Sequence, residues 1–246
     1  MAQKQLIPQQ FLFRFSFDCK YRAKMPTSGA HVVDLSSDYR LPFLGAMDSQ
    51  REYADLRVAW NESGLGFQWE VRLKREPIYG EPERPTTCDG LSVWLDMRDT
   101  RTIHRASRYC QRFLLLAHKG EGVGHPEVAY KPIHRALEDA PSPDLSQIRI
   151  ARFSINEDGE PETEAKSRPV TNYRMEAFLP ANVLSGFDPE TNHRLGFCYR
   201  LRDRELGDQF LAAGPEFPYW EDPSLWSTLE LKKEEPAGGK PKRAKR

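Results

Sequence analysis

Short runs in which every second residue is apolar recur along this chain, and each predicts a β-strand with one face on a core. Phe11, Phe13, Phe15 and Phe17 alternate with Leu12, Arg14 and Ser16. Leu56, Val58 and Trp60 alternate next, and Asn61-Glu-Ser-Gly64 supplies turn chemistry before Leu65, Phe67, Trp69 and Val71. That pair predicts a β-hairpin. Leu91, Val93 and Leu95 are set against Ser92, Trp94 and Asp96, and a polar loop then leads to the apolar run Phe113–Ala117. Ile148, Ile150 and Phe153 suggest a further strand. Tyr173, Met175, Ala177 and Leu179 make another, ended by Pro180, and Leu195, Phe197, Tyr199 and Leu201 close the series.

Helical periodicity is nearly absent. Only Ile133–Glu138 and Ala181–Gly186 read as single helical turns, the second stopped by glycine. The segments Lys24–Gln50 and Pro77–Pro85 are loops, and residues 203–230 are rich in proline and aromatic residues. Many short strands joined by loops, with hardly any helix, predict an all-β fold, an antiparallel, jelly-roll-like β-sandwich. One domain is expected over residues 8–230. Residues 231–246, dominated by Lys, Arg, Glu, Pro and Gly, are expected to form a disordered basic tail.

Composition narrows the roles. Hydrophobic residues are 39% and charged residues 29%, so a core depends on the apolar residues being gathered into those runs. Lys plus Arg and Asp plus Glu are 36 each, so no net field draws nucleic acid or an anionic membrane. The four cysteines form no C-x-x-C pair and are too sparse for a disulfide scaffold. No secretion signal or membrane-length run is read, and a cytoplasmic protein with reduced thiols is expected.

Four stretches, in order, carry a resemblance. Tyr53-Ala-Asp-Leu-Arg-Val-Ala-Trp60 followed by Gly64-Leu-Gly-Phe-Gln-Trp-Glu-Val71 resembles the A-x-h-x-h-x-W … G-L-Y-h-x-h-x-V hairpin of family nine carbohydrate-binding modules and related DOMON-like domains. Asp89-Gly-Leu-Ser-Val-Trp-Leu-Asp96 is similar to their D-x-h-E-h-h-h-D strand, with Ser92 where the motif usually has Glu. Tyr173-Arg-Met-Glu-Ala-Phe-Leu-Pro180 and Leu195-Gly-Phe-Cys-Tyr-Arg-Leu-Arg-Asp203 are similar to the later strands. The resemblance spans roughly residues 50–205. It implies a jelly-roll-like sandwich and, in some members, a sugar held between aromatics beside a structural calcium. The Arg-rich insertion Arg98–Arg112 aligns with no sugar-binding loop.

Candidate chemistry lies on the polar sides of the strands. Glu70, Arg72, Trp94, Asp96, Arg112, Arg174, Glu176, Arg200 and Arg202 are expected to face outward and, on a curved sheet, to line a shared concave surface. Arg98, His104 and Arg108 join them from the loop that follows Asp96. A ring that stacks on sugar C–H faces beside groups that bond hydroxyls suits a polyol, and the excess of Arg equally suits an acidic ligand. The bland alternative is a solvated sheet face laced with Arg–carboxylate pairs. Trp94, among charges, is expected to meet solvent or ligand, so that its loss would remove binding at little cost in stability.

No metal is assigned. Asp89, Asp96 and Asp99 could offer oxygens to calcium, but no D-x-D-x-D-G loop exists. The leading expectation is non-catalytic binding of a carbohydrate-like or polar small molecule. The first competitor is a protein-interaction or structural module without a small ligand, and the second an enzyme using Asp96, His104 and Glu176. Neither specific nucleic-acid binding nor membrane association is expected.

Overall fold

The structure is a computed structural model that describes residues 14–48, 50–81, 83–119, 125–162, 170–212 and 214–233. Its strands are β1 (Ser16–Tyr21), β2 (Ala54–Asn61), β3 (Gly64–Val71), β4 (Gly90–Asp96), β5 (Cys110–Lys119), β6 (His125–Tyr130), β7 (Arg149–Ser154), β8 (Tyr173–Pro180), β9 (Arg194–Asp203), β10 (Gly207–Phe210) and β11 (Ser227–Lys232). They form one sheet in the order β6-β5-β4-β9-β11-β1-β2-β3-β8-β7, with β10 added beside β9. Among the described residues the helical segments are short 3₁₀ turns, and no helix is long and apolar enough to cross a membrane.

The alternating residues explain why the sheet wraps. Leu91, Val93 and Leu95 of β4, Phe197 and Tyr199 of β9, Phe67 and Trp69 of β3, and Met175 and Ala177 of β8 belong to one buried cluster. Strands distant in the sheet order therefore face each other across a single core. The rings of Phe67 and Phe197 stack at 6.3 Å between the two halves. Wrapping removes both apolar faces from water at once, which a flat sheet cannot do.

The hairpin β2–β3 pairs Asn61 with Gly64 across the expected turn. Gly64 has φ +148, and a Cβ there would lie 2.1 Å from the carbonyl oxygen of Leu179, so glycine is required by the close approach of β8.

Several expectations need correction. The sheet is mixed rather than purely antiparallel, because β1 runs parallel to both β11 and β2. The first strand begins later than its phenylalanines suggest, and it is Phe17 and Cys19 that enter the core while Phe15 packs at its edge. Phe11 and Phe13 lie outside the described residues. The region 203–230 holds β10 and the start of β11, neither evident from alternation. Leu229 and Leu231 of β11 are buried, so the fold continues to Lys232. Ile133–Glu138 is a turn without a helix, and Ala181–Val183 is a 3₁₀ turn. Most of the basic tail, from 234 on, lies outside the described residues.

Candidate functional site

The polar sides of the strands do not form one surface, because the wrapped sheet sends them to opposite sides of the molecule. Glu70, Arg72, Arg174 and Glu176 lie on the β3–β8 half, and Trp94, Asp96, Arg112, Arg200 and Arg202 on the β4–β5–β9 half. Period-2 alternation reports whether a residue points inward or outward; it does not report which half of the sheet carries it.

On the β3–β8 half the charged groups are committed to the protein's own chain. Glu176 is fully buried, and its Oε2 accepts from the amides of Val32 (2.6 Å), Val33 (3.0 Å) and Asp34 (3.2 Å). Its Oε1 lies 2.7 Å from His31 Nδ1. Three successive amides converging on one oxygen make an anion nest filled by the chain's own carboxylate. The loop so anchored places Met25, Val32, Val33 and Leu35 over Ala59 and Phe178.

Beside it, Glu70 accepts from Arg72 (2.5 Å) and from Arg174 (2.8 Å), with Arg57 at 3.6 Å. Burial opposes ionisation of Glu70, but these guanidiniums outweigh it and hold the carboxyl below its ordinary value of 4.5. A depressed carboxyl stabilises the fold above the unfolded-state pKa and loses that contribution as pH falls through the folded-state value. Glu70→Gln is therefore expected to cost about 1–3 kcal/mol near neutral pH, with the difference from wild type shrinking in acid. Urea unfolding across the acidic range checks this, and a deficit independent of pH would contradict it.

The β4–β5–β9 half is organised around Trp94. Trp94 stands opposite Arg112 on β5 and Cys198 on β9. It is 1% exposed, against the expectation that it meets solvent. The cover comes from the aromatic segment after β10. Tyr219 meets Trp94 edge-on at 5.3 Å, and the Trp94 indole N–H donates to the Trp220 carbonyl at 3.2 Å. Trp226 donates its own indole N–H to the Tyr219 carbonyl at 2.7 Å, which fixes that segment. Phe210, Ala106, Cys110, Cys198 and Ile133 complete this second apolar cluster. The ring of Trp220 itself stays on the surface at 40% exposed.

Three guanidiniums surround the cluster. Arg112 lies over the Trp94 ring at 4.7 Å. Arg200 donates to the Thr86 carbonyl at 3.0 Å, and Arg202 approaches Asp208 at 3.9 Å. The Nε atoms of Arg112, Arg200 and Arg202 are buried and have no hydrogen-bond partner among the described residues. Burial, with the charge of Arg200 adding to it, pushes Arg112 down to about 10. Arginines beside buried rings, with donors unspent, are suited to ligand oxygens.

The remaining sequence candidates serve other purposes. Asp96 is 1% exposed and accepts from the amides of Arg98 (2.9 Å) and Thr100 (2.7 Å), closing the turn after β4. Arg98 donates to the Gly186 carbonyl at 2.7 Å and lies over the Tyr109 ring. Arg108 approaches Glu138 at 3.7 Å and lies over the Tyr109 ring at 5.9 Å. His104 is exposed beside Asp222 at 3.1 Å, with Ser224 Oγ also 3.1 Å from it. Both partners address the same nitrogen, Nδ1, so Ser, His and Asp do not form the relay that activates a serine nucleophile. Asp96 and Glu176 sit on different halves of the sheet, both saturated by amides, and the acid–base set Asp96, His104 and Glu176 does not converge.

The carboxylates considered for calcium are likewise occupied. Asp89 is bound by Lys74 Nζ at 3.0 Å, and Asp99 holds Arg101 at 3.0 Å and Arg194 at 3.2 Å. Among the described residues the group with ligand-type atoms close enough to share an ion is His31, Asp34 and Glu176. There the Glu176 oxygens already carry three amides and an imidazole, so this set does not fit an oxygen-ligated calcium site. The residue that sequence reasoning passed over is Tyr219, while Trp220 and Trp226 read from the sequence as core or edge-covering aromatics rather than stacking platforms. The dense run Phe217-Pro-Tyr-Trp220 was the available signal, but reading it as a cover for Trp94 needs the fold.

No protein-family model matches the chain, and no curated protein matches it in sequence. Solved structures do match. A family 9 carbohydrate-binding module from Caldicellulosiruptor kristjanssonii in complex with cellotriose aligns over 94% of this chain and 100% of its own, at 14% identity and a TM-score of 0.56. The module in complex with glucose aligns over 90% and 97%, at 14% identity and a TM-score of 0.57. The order of short motifs and the arrangement of strands thus agree: this chain has the fold of the family 9 carbohydrate-binding modules.

Proposed function

We propose that this protein is a non-catalytic carbohydrate-binding module, and that it takes its ligand on the outer side of β4, β5 and β9, at the aromatic cover of Trp94. In this reading the wrapped sheet is a jelly-roll-like sandwich that serves as a rigid platform. Two solved structures of the same fold hold cellotriose and glucose, which makes a saccharide the first ligand class to consider. The observation that carries the reading is an exposed Trp220 ring on the same half of the sheet as Arg112 and Arg200, half-buried guanidiniums that no carboxylate neutralises among the described residues. The ring suits the C–H face of a pyranose, and the guanidiniums suit its oxygens. The absence of a convergent acid and base among Asp96, His104 and Glu176 favours binding over turnover.

Trp220→Ala tests this. Its ring is exposed, so stability should change by no more than about 0.5 kcal/mol. Saccharide affinity, measured by titration calorimetry across a panel of neutral and acidic oligosaccharides, should fall by at least about tenfold, or 1.4 kcal/mol. Unchanged affinity in the variant would move the site elsewhere. Failure of every saccharide to bind wild type would leave the fold without this function and favour a protein partner.

A further inference from the structure

We propose that the saccharide held at this site is acidic, its carboxylate or sulfate group being taken by Arg112 and Arg200; this rests on the carbohydrate-binding reading and narrows it. Several other arginines are neutralised by carboxylates. Arg40 reaches Glu52 at 2.6 Å, Arg57 reaches Asp55 at 3.1 Å, Arg174 reaches Glu70 at 2.8 Å and Arg194 reaches Asp99 at 3.2 Å. Among the described residues no carboxylate lies within ion-pair distance of Arg112 or Arg200. Arg112 has the Trp94 ring as its contact, and Arg200 has one carbonyl.

Two like charges are thus held on β5 and β9, the strands that flank β4, partly out of water, with buried N–H groups unsatisfied. Each of these features is unfavourable alone, since a desolvated cation without a counter-ion loses hydration and gains nothing in return. The lowered pKa of Arg112 expresses the same cost, caused first by burial and then by Arg200. An oxyanion delivered by a ligand would pair both charges and offset their mutual repulsion. The planar guanidinium fork matches the oxygen spacing of a carboxylate or a sulfate, where a neutral hydroxyl would satisfy one donor and leave the charge unpaired. A free inorganic anion would make no use of Trp220, whose exposed ring on the same cover supplies a stacking surface for the sugar that carries the charge.

Titration calorimetry on the full chain, with tri-galacturonate, a sulfated chondroitin disaccharide, cellotriose and inorganic sulfate as separate probes, distinguishes the sources. At least one acidic saccharide should bind about tenfold or more tighter than cellotriose, with affinity falling as sodium chloride is raised. Arg112→Met keeps an unbranched chain over Trp94 and removes the unpaired charge. It should leave the melting temperature unchanged or higher, yet bring the ratio of acidic to neutral affinity towards one. Arg200→Gln should reduce the same ratio, and it gives a second reading if the methionine variant folds poorly.

Cellotriose binding as tightly as both acidic saccharides would overturn the acidic assignment while leaving the carbohydrate-binding reading in place. Binding by no saccharide would overturn both. Inorganic sulfate matching the acidic saccharides would reduce the site to an anion site and overturn the role given to the sugar. A destabilised Arg112→Met that keeps its acidic preference would make Arg112 a structural cap of Trp94 and overturn the proposal.

Discussion

Trp94→Ala is expected to destabilise the fold by about 3–5 kcal/mol, the usual cost of emptying a large buried aromatic site. Trp94 is among the largest fully buried side chains, and β5, β9 and the segment 217–220 all pack against it. It receives Arg112 of β5 on one side and stands beside Cys198 of β9 on the other. Tyr219 meets its edge, and its indole N–H holds the Trp220 carbonyl. Removing the ring also leaves Arg112 over a cavity. The cover cannot collapse freely into that space, because Trp226 ties Tyr219 in place from the far end of the segment. Urea unfolding measures the loss; a change below about 1 kcal/mol would show that the cover contributes little and that the ring is dispensable to the fold. The contrast with Trp220→Ala is the informative one, since the covered tryptophan and the tryptophan of its cover are expected to separate into stability and binding.

A comparable loss is expected from Lys74→Met, about 3–5 kcal/mol, because two buried carboxylates would be left without their cation. Lys74 Nζ lies 3.0 Å from Asp89 and 2.7 Å from Asp203, and all three side chains are shielded from water. The cluster joins the residue just before β4 to the end of β9 and to the chain beyond β3. Asp89 also accepts from the amides of Tyr79 (2.9 Å) and Arg204 (2.7 Å), and Asp203 from those of Glu205 and Leu206, both at 2.9 Å.

Burial and then the neighbouring Asp203 raise Asp89 above its ordinary value, while the amides and Lys74 act against them. Removing Lys74 strengthens that tendency. A carboxyl raised in the folded state destabilises the fold increasingly as pH rises above the unfolded-state pKa, and not below it. The deficit of Lys74→Met should therefore be largest near neutral pH, shrink as pH falls towards about 3.9 and be absent below it. Adding Asp89→Asn and Asp203→Asn to Lys74→Met should restore part of the loss, since charge rather than shape is the difficulty. No recovery in the triple variant would show that the packing of Lys74, and not its charge, is what the site needs.

The inward positions of this protein were legible in the sequence. Phe67, Val93, Met175 and Phe197 alternate with polar neighbours, and all four are buried in one core. The hairpin at Asn61-Glu-Ser-Gly64 was legible for the same local reason, a turn between two alternating runs. So was the family-like order of motifs, which the fold shares. These features are local, and the chain's own periodicity determines them.

Whatever depends on which strand lies beside which was decided only by the tertiary structure. Glu176 and Asp96 look alike in sequence, each a carboxylate on the polar side of a strand, yet wrapping places them on opposite halves and fills both with backbone amides. Trp94 looked exposed because its strand neighbours are polar, and it is buried because residues more than a hundred positions away fold over it. The short strand β10 was hidden because its pairing with β9, not alternation, makes it a strand, and β11 offers only the two alternating leucines Leu229 and Leu231. A sequence records what each residue prefers to face, but the free energy of covering a tryptophan or leaving an arginine unpaired is set by distant segments that meet only when the chain has folded.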